Sequence, residues 1–294
     1  MTQTLLEAPV AARSLLLEQH IRYDYTAPVE RLRQRLIVVP PAVHGAQRRG
    51  DWSLTVTVDG EPVEPRSSAG VAVARRVRTD RFGNVVIDVG ARRVDRSIGF
   101  DACVEVTRVD GDGDGDDGVG VHTVAADPAL LRPTALTTAD SRILDLVVPG
   151  ATPADICSAA GRALTYEWGI TGVATTAAEA IRGGRGVCQD YAHIMIAACR
   201  AAGLAARYVS GHLVGEGGSH AWVEALVPHP TRPGEWAVEA WDPTHDRRVG
   251  DGYVTVAVGR DYGDVAPLTG SYVADRATGH LSVRKRLSAQ PASV

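Results

Sequence analysis

Cys188 stands where a nucleophile could be activated. Gly183 and Gly184 before it cannot continue a helix cheaply, and residues 194–202 after it form a good helix former closed by Gly203. A cysteine at such a loop-to-helix junction meets unpaired N–H groups and the positive end of the helix dipole. Both favour a thiolate over a thiol. Cys103, Cys157 and Cys199 each lie in an apolar-patterned segment and read as packed residues, as free cysteines commonly are.

His220 and Asp242 could complete the chemistry. Segments 219–227 and 235–242 are strand-like, and the stretch 228–234 between them is dense in turn residues, so a hairpin is expected. If it is symmetric about Thr231, His220 lies directly opposite Asp242, on one face, with Cβ atoms about 4.5–5.5 Å apart. A carboxylate so placed holds an imidazole in one tautomer while the other ring nitrogen faces a thiol. A slip of one residue would part them. Taken singly, His220 reads as a surface histidine and Asp242 as a turn cap before Pro243. The order Cys, His, Asp is what points to acyl transfer.

Four ordered motifs carry a resemblance: 186–193 around Cys188, 206–211, 219–223 around His220, and 241–244 around Asp242. Together they resemble the bacterial transglutaminase-like superfamily. Upstream, 20–25 with Pro28 and Val29, and the Asp80-Arg81-Phe82-Gly83-Asn84 run, are similar to the β-rich region preceding many bacterial members. The resemblance implies a papain-like triad of Cys188, His220 and Asp242. It also implies a side-chain oxyanion donor from an upstream aromatic, for which Tyr166 and Trp168 are the candidates beside the Cys188 backbone N–H.

The elements that must position these residues divide the chain. Period-two alternation recurs through the first third, at 15–25, 52–58 and 98–106, and Asp59-Gly60 is a hairpin signal. Strands at this spacing suggest a β-sandwich over 1–135, with 119–124 returning from the strand near 98–106. Beyond a link near 128–138, Thr152-Pro153-Ala154-Asp155 and Thr176-Ala177-Ala178-Glu179 open two capped helices. The cysteine helix follows, then antiparallel strands over 205–214, the histidine and aspartate segments, and 254–258. The expected class is α+β: a β-rich domain, then a papain-like, transglutaminase-like domain over 136–283 with the cysteine helix packed on an antiparallel sheet. Residues 284–294 read as a disordered tail. Asp190 suits the first turn of the cysteine helix. His193 and His212 read as structural, and Trp222 as a wall or core residue.

Composition narrows the function. Hydrophobic residues at 45%, charged residues at 22% and a net charge of −4 describe a soluble globular chain with no electrostatic case for nucleic acid or an anionic membrane. No leader or apolar span is evident, and four cysteines without framework or metal-like spacing fit the cytoplasm. The Asp110–Asp117 run opens like a calcium loop, but Val121 falls where a bidentate acid is required. No metal or cofactor is therefore expected. The expected partner is a peptide or protein amide. The favoured activity is peptide or amide hydrolysis through a thioester. The alternatives are transfer of the acyl group to an amine, and a non-catalytic peptide-binding groove.

Overall fold

The computed structural model describes residues 13–64, 73–109, 123–125 and 127–290. Eight strands come first: β1 Arg13–Tyr25, β2 Val29–Val39, β3 Val43–His44, β4 Gln47–Val58, β5 Glu61–Val63, β6 Val73–Thr79, β7 Val85–Val94 and β8 Ser97–Arg108. They fall into two antiparallel sheets, one ordered β1-β8-β4-β3 with β5 on β4, the other β2-β7-β6. The alternation read from sequence is what makes one face of each sheet apolar. Leu15, Leu17, Ile21, Leu32, Leu36 and Phe100 share a single buried core between them. Asp59 and Gly60, both at positive φ, turn β4 into β5.

The second half holds β9 Thr123–Val124, α1 Ser141–Leu144, α2 Pro153–Ala163, β10 Thr165–Tyr166, α3 Ala177–Gly183, β11 Arg185–Gly186 and α4 Cys188–Ala201. Strands β12 Ala205–Leu213, β13 His220–Pro228, β14 Trp236–Asp242, β15 Arg247–Arg248 and β16 Tyr253–Gly259 follow, then α5 Tyr262–Val265, β17 Leu268–Val273 and β18 Gly279–Ala289. The third sheet runs β15-β14-β13-β12-β16. Helix α4 is buried along nearly its whole length, and its Ile194, Met195 and Ala198 share a core with Ala206, Tyr208 and Val223 of this sheet. Both expected capping boxes form: Thr152 with Asp155 at α2, and Thr176 with Glu179 at α3. At the far end of α4, Gly203 adopts φ 78°, and the Leu204 N–H donates to the Cys199 carbonyl, a Schellman-type closure.

Three sequence expectations are corrected. Residues 284–289 are not a free tail: β18 pairs with β1 along its length, from Leu15 opposite Ala289 to Tyr25 opposite Gly279. Residues such as Leu281, Val283 and Leu287 already carry a strand alternation that the basic residues between them mask. Strand β17 likewise adds to β2, so the chain ends by returning to the first two sheets. Residues Thr123 and Val124 pair with β14 rather than returning beside β8. The Asp110–Asp117 run lies outside the described residues. Cys103, expected to be packed, is exposed, because it takes the outward position on β8 between Glu18 and Ser53.

Strand β16 joins the two halves. It lies at one edge of the third sheet, where unpaired backbone groups would be costly to bury. Side-chain amides of the first half meet them. Gln47 donates to the Thr255 carbonyl at 2.8 Å and accepts from its N–H at 2.9 Å; Asn84 does the same for Val258 at 2.7 and 2.8 Å. Val254 and Val256 meanwhile belong to the core of the first two sheets. Among the described residues no helix is long and apolar enough to cross a membrane.

Candidate active site

Cys188 is the first residue of α4, preceded by Val187 in extended geometry. The turn into the helix is held by Asp190, whose Oδ2 accepts from the Val187 N–H at 2.8 Å and from Thr171 Oγ1 at 2.7 Å. Burial raises the Asp190 carboxyl above its usual range, opposed by these hydrogen bonds. Gly186 is needed here: a Cβ would come within 2.7 Å of Asp190 Oδ2. Gly184 ends α3 at φ 67° and lets the chain double back into β11. Cys188 is partly buried, and the first N–H groups of a helix have no partners within it.

His220 opens β13 and is almost wholly buried; Asp242 ends β14 and is fully buried. Their strands are adjacent and antiparallel, but the register differs from the symmetric hairpin. Val223 lies opposite Trp241 rather than Glu239, and the pairing ends before His220. The shift is even, so His220 and Asp242 stay on one face as diagonal neighbours. They remain close enough for His220 Nε2 to meet Asp242 Oδ2 at 2.7 Å. Cys188 favours the protonated form of the same ring, and with Nε2 taken by Asp242 the nitrogen left for the sulfur is Nδ1. His220 and Asp242 thus form a buried hydrogen-bonded pair, and Cys188 acts on the same ring.

Electrostatics follow from this arrangement. Burial would lower the His220 imidazole, yet the hydrogen bonds and charges of Asp242 and Cys188 outweigh it and hold its protonated form well above the ordinary histidine range. Burial would raise the Asp242 carboxyl, but bonds from His220, His245 and Tyr253 hold it well below the usual carboxylate range. Asp242 accepts five hydrogen bonds. Oδ1 takes the backbone N–H groups of Thr244 and His245; Oδ2 takes His220 Nε2, His245 Nδ1 and Tyr253 Oη, each at 2.7 Å.

His245, Tyr253 and Glu216 were missed in sequence. His245 had a local signal, three residues after Asp242 across a proline turn. Tyr253 and Glu216 reach the site only through the fold. Glu216 comes from the loop between β12 and β13, its Oε2 3.3 Å from His220 Nδ1 and its Oε1 3.4 Å from His245 Nε2. Of the two aromatic candidates, Tyr166 pairs with Gly186 in the short β10–β11 ladder. Its phenol is raised by burial and further by the charges of Cys188 and Glu216. Trp168 is 82% exposed. Trp222 is fully buried and packs edge-on to Tyr253 with centroids 5.3 Å apart. Gly211 has no room for a side chain against Trp222 and the Val254 carbonyl. His193 and His212 are both buried; His193 Nε2 accepts from the Tyr262 N–H and His212 Nδ1 meets the Gly218 carbonyl.

Residues 155–238 match the core model of the transglutaminase-like superfamily, a span holding Cys188 and His220 and ending before Asp242. A protein of Mycobacterium leprae is 39% identical over 166 residues, covering 51% of this chain and 57% of its own. One of Mycobacterium tuberculosis is 41% identical over 127 residues, 40% of each chain. Both are named only as uncharacterized, and the matches span about half of those relatives' length or less. A solved structure from Cytophaga hutchinsonii, of a candidate cysteine protease, shares the fold with a TM-score of 0.68 at 20% identity, covering 97% of this chain and 93% of that one. The chain carries a transglutaminase-like domain, and Cys188 and His220 lie within its matched core.

Proposed function

We propose that the chain is a cysteine-dependent enzyme that cleaves a peptide or amide bond through a thioester. The observation that supports this is the buried His220–Asp242 hydrogen bond, with Cys188 at the start of a buried helix acting on the same imidazole. Cys188 attacks the carbonyl carbon as a thiolate, forming a C–S bond while the carbonyl electrons move onto oxygen. The free N–H groups at the start of α4, with the Tyr166 hydroxyl as side-chain donor, receive that oxyanion. His220 passes its Nδ1 proton to the amine as the C–N bond breaks, leaving an acyl-enzyme. Asp242 keeps the other proton on Nε2, so that Nδ1 is the working atom. In the second half-reaction His220 takes a proton from the incoming nucleophile, and the C–S bond breaks.

Hydrolysis is the preferred second step. Cys188 is only partly buried and the neighbouring Tyr166 is 52% exposed, so water reaches the sulfur. The test has two arms. Iodoacetamide labelling across pH, followed by peptide mass spectrometry, should find Cys188 fast in mildly acidic buffer and dependent on His220. Burial pushes the Cys157 and Cys199 thiols up to about 12, and burial with Glu18 and Glu105 raises Cys103, so those three should be slow. Peptide libraries offered with and without a primary amine should yield cleavage without amine incorporation. Equal labelling of Cys188 and Cys103 would overturn the nucleophile; incorporation of amine would replace hydrolysis by transfer.

A further inference from the structure

Asp242 does more than orient one histidine. It binds Nε2 of His220 and Nδ1 of His245 through the same oxygen, each at 2.7 Å. A carboxylate accepting from both rings fixes both tautomers, so the lone pairs of His220 Nδ1 and His245 Nε2 are on the opposite sides of the rings. Both of those nitrogens face Glu216, at 3.3 and 3.4 Å. One donor atom from each of the three residues lies within 4.8 Å of the other two. In a tetrahedral zinc site, bonds of about 2.0–2.1 Å put neighbouring ligand atoms about 3.3–3.4 Å apart. The two Glu216 contacts, one from each carboxylate oxygen, have that length.

We propose that Glu216, His220 and His245 form a zinc site that blocks the nucleophile. It rests on the reading of Cys188 and His220 as the working pair. Two imidazoles and one carboxylate suit zinc better than magnesium or calcium, which prefer oxygen ligands alone. Asp242 is the outer carboxylate that holds both ligating rings, the usual partner of a metal-bound histidine. The ion occupies the Nδ1 lone pair that would otherwise accept the Cys188 proton, which leaves the Cys188 sulfur as the candidate fourth ligand. Binding exchanges protons on these donors for the ion and releases them to solvent. Zinc occupancy and acyl transfer therefore exclude each other.

The experiment uses the full chain, freed of metal with EDTA and dialysed against zinc chloride with a chromophoric competitor. One zinc should bind per chain, slow iodoacetamide labelling of Cys188 by about tenfold or more, and be reversed by EDTA. Glu216→Gln and His245→Gln should each weaken zinc binding by about tenfold or more, and magnesium or calcium chloride should give no protection. Two variants are used, with circular dichroism, so that loss of fold in one leaves the other to decide. The site is refuted if zinc fails to protect Cys188, if both folded variants bind as tightly as the parent, or if calcium protects equally. If metal-free Cys188 labels no faster than Cys103, the nucleophile reading fails instead, and that result is separate from the dialysis.

Discussion

Asp242→Asn tests the centre of the site more sharply than loss of the cysteine does. All five hydrogen bonds at Asp242 are donated to it. An asparagine can keep the two backbone bonds at its carbonyl oxygen, but then turns an NH2 group toward His220, His245 and Tyr253. Both imidazoles must shift their proton to the far nitrogen, and Tyr253 must rotate. His220 then carries its hydrogen on Nδ1 in the neutral ring and cannot accept from Cys188. Breaking a fully buried charge pair costs about 3–5 kcal/mol when nothing compensates; tautomer relief makes the lower end, about 3 kcal/mol, the expected loss in urea unfolding. Turnover should fall by about 10⁴-fold, as wrong-tautomer triads do. An ordinary thiol near about 8.5 is only ~0.3% thiolate at pH 6, so labelling of Cys188 has at most about 300-fold to lose there. The wild type should also lose stability as pH falls below about 4, because a depressed carboxyl stabilises the fold only while ionised. The variant should lose less in that window, where other depressed carboxyls such as Asp59 and Asp264 still contribute. Nitrogen-detected NMR of His220 reads the tautomer directly. A variant that keeps hydrogen on Nε2, unfolds within 0.5 kcal/mol of the parent by the ordinary surface margin and labels equally would refute the account.

Three further outcomes are expected. Burial holds the His193 imidazole down to about 4, so only the unfolded chain takes its proton between about pH 6.5 and 4, and stability falls with acid; His193→Gln, which keeps an acceptor for Tyr262, should flatten urea-midpoint curves there by about 1.4 kcal/mol per pH unit. Gly186→Ala drives a Cβ against the Asp190 carboxylate that caps α4, and should cost about 1–3 kcal/mol while slowing Cys188 labelling. Gln47→Ala and Asn84→Ala each strip a backbone N–H and C=O of β16 of their partners, for about 2 kcal/mol or more in chemical denaturation, though both residues lie far from the sulfur in sequence.

What was legible in the sequence is what depends on short range. The start of α4, both capping boxes and the Asp59-Gly60 turn are written in neighbouring residues, and each is where its signal put it. The pairing of His220 with Asp242 was legible only as a shared face, since residue parity fixes the face and loop geometry fixes the register. The hairpin centre moved, yet the contact survived because the shift was even. Long-range partners carried no local mark. Strand β18 reads as a basic tail until β1 is there to receive it, and Glu216 reads as part of a glycine-rich loop until the β12–β13 hairpin closes over the histidines.

The first two sheets hold one end of the site from behind. Asp80 Oδ1 accepts from the N–H groups of Phe82 and Asn84, shaping a turn that presents Asn84 to β16 and Phe82 to the cluster of Val209, Trp222 and Tyr253. Gln47 grips the same strand at Thr255, next to Val254 and Val256, which are buried in the sandwiching core. Strand β16 begins at Tyr253, and Tyr253 donates to Asp242. Fixing the edge of β16 therefore fixes the phenol that steadies the carboxylate, and through it the tautomer of His220. This is a mechanical reason for a β-rich unit without chemistry of its own to accompany a cysteine helix: removing its two amide clamps should loosen the site at its Asp242 end first, with α4 and Cys188 still in place.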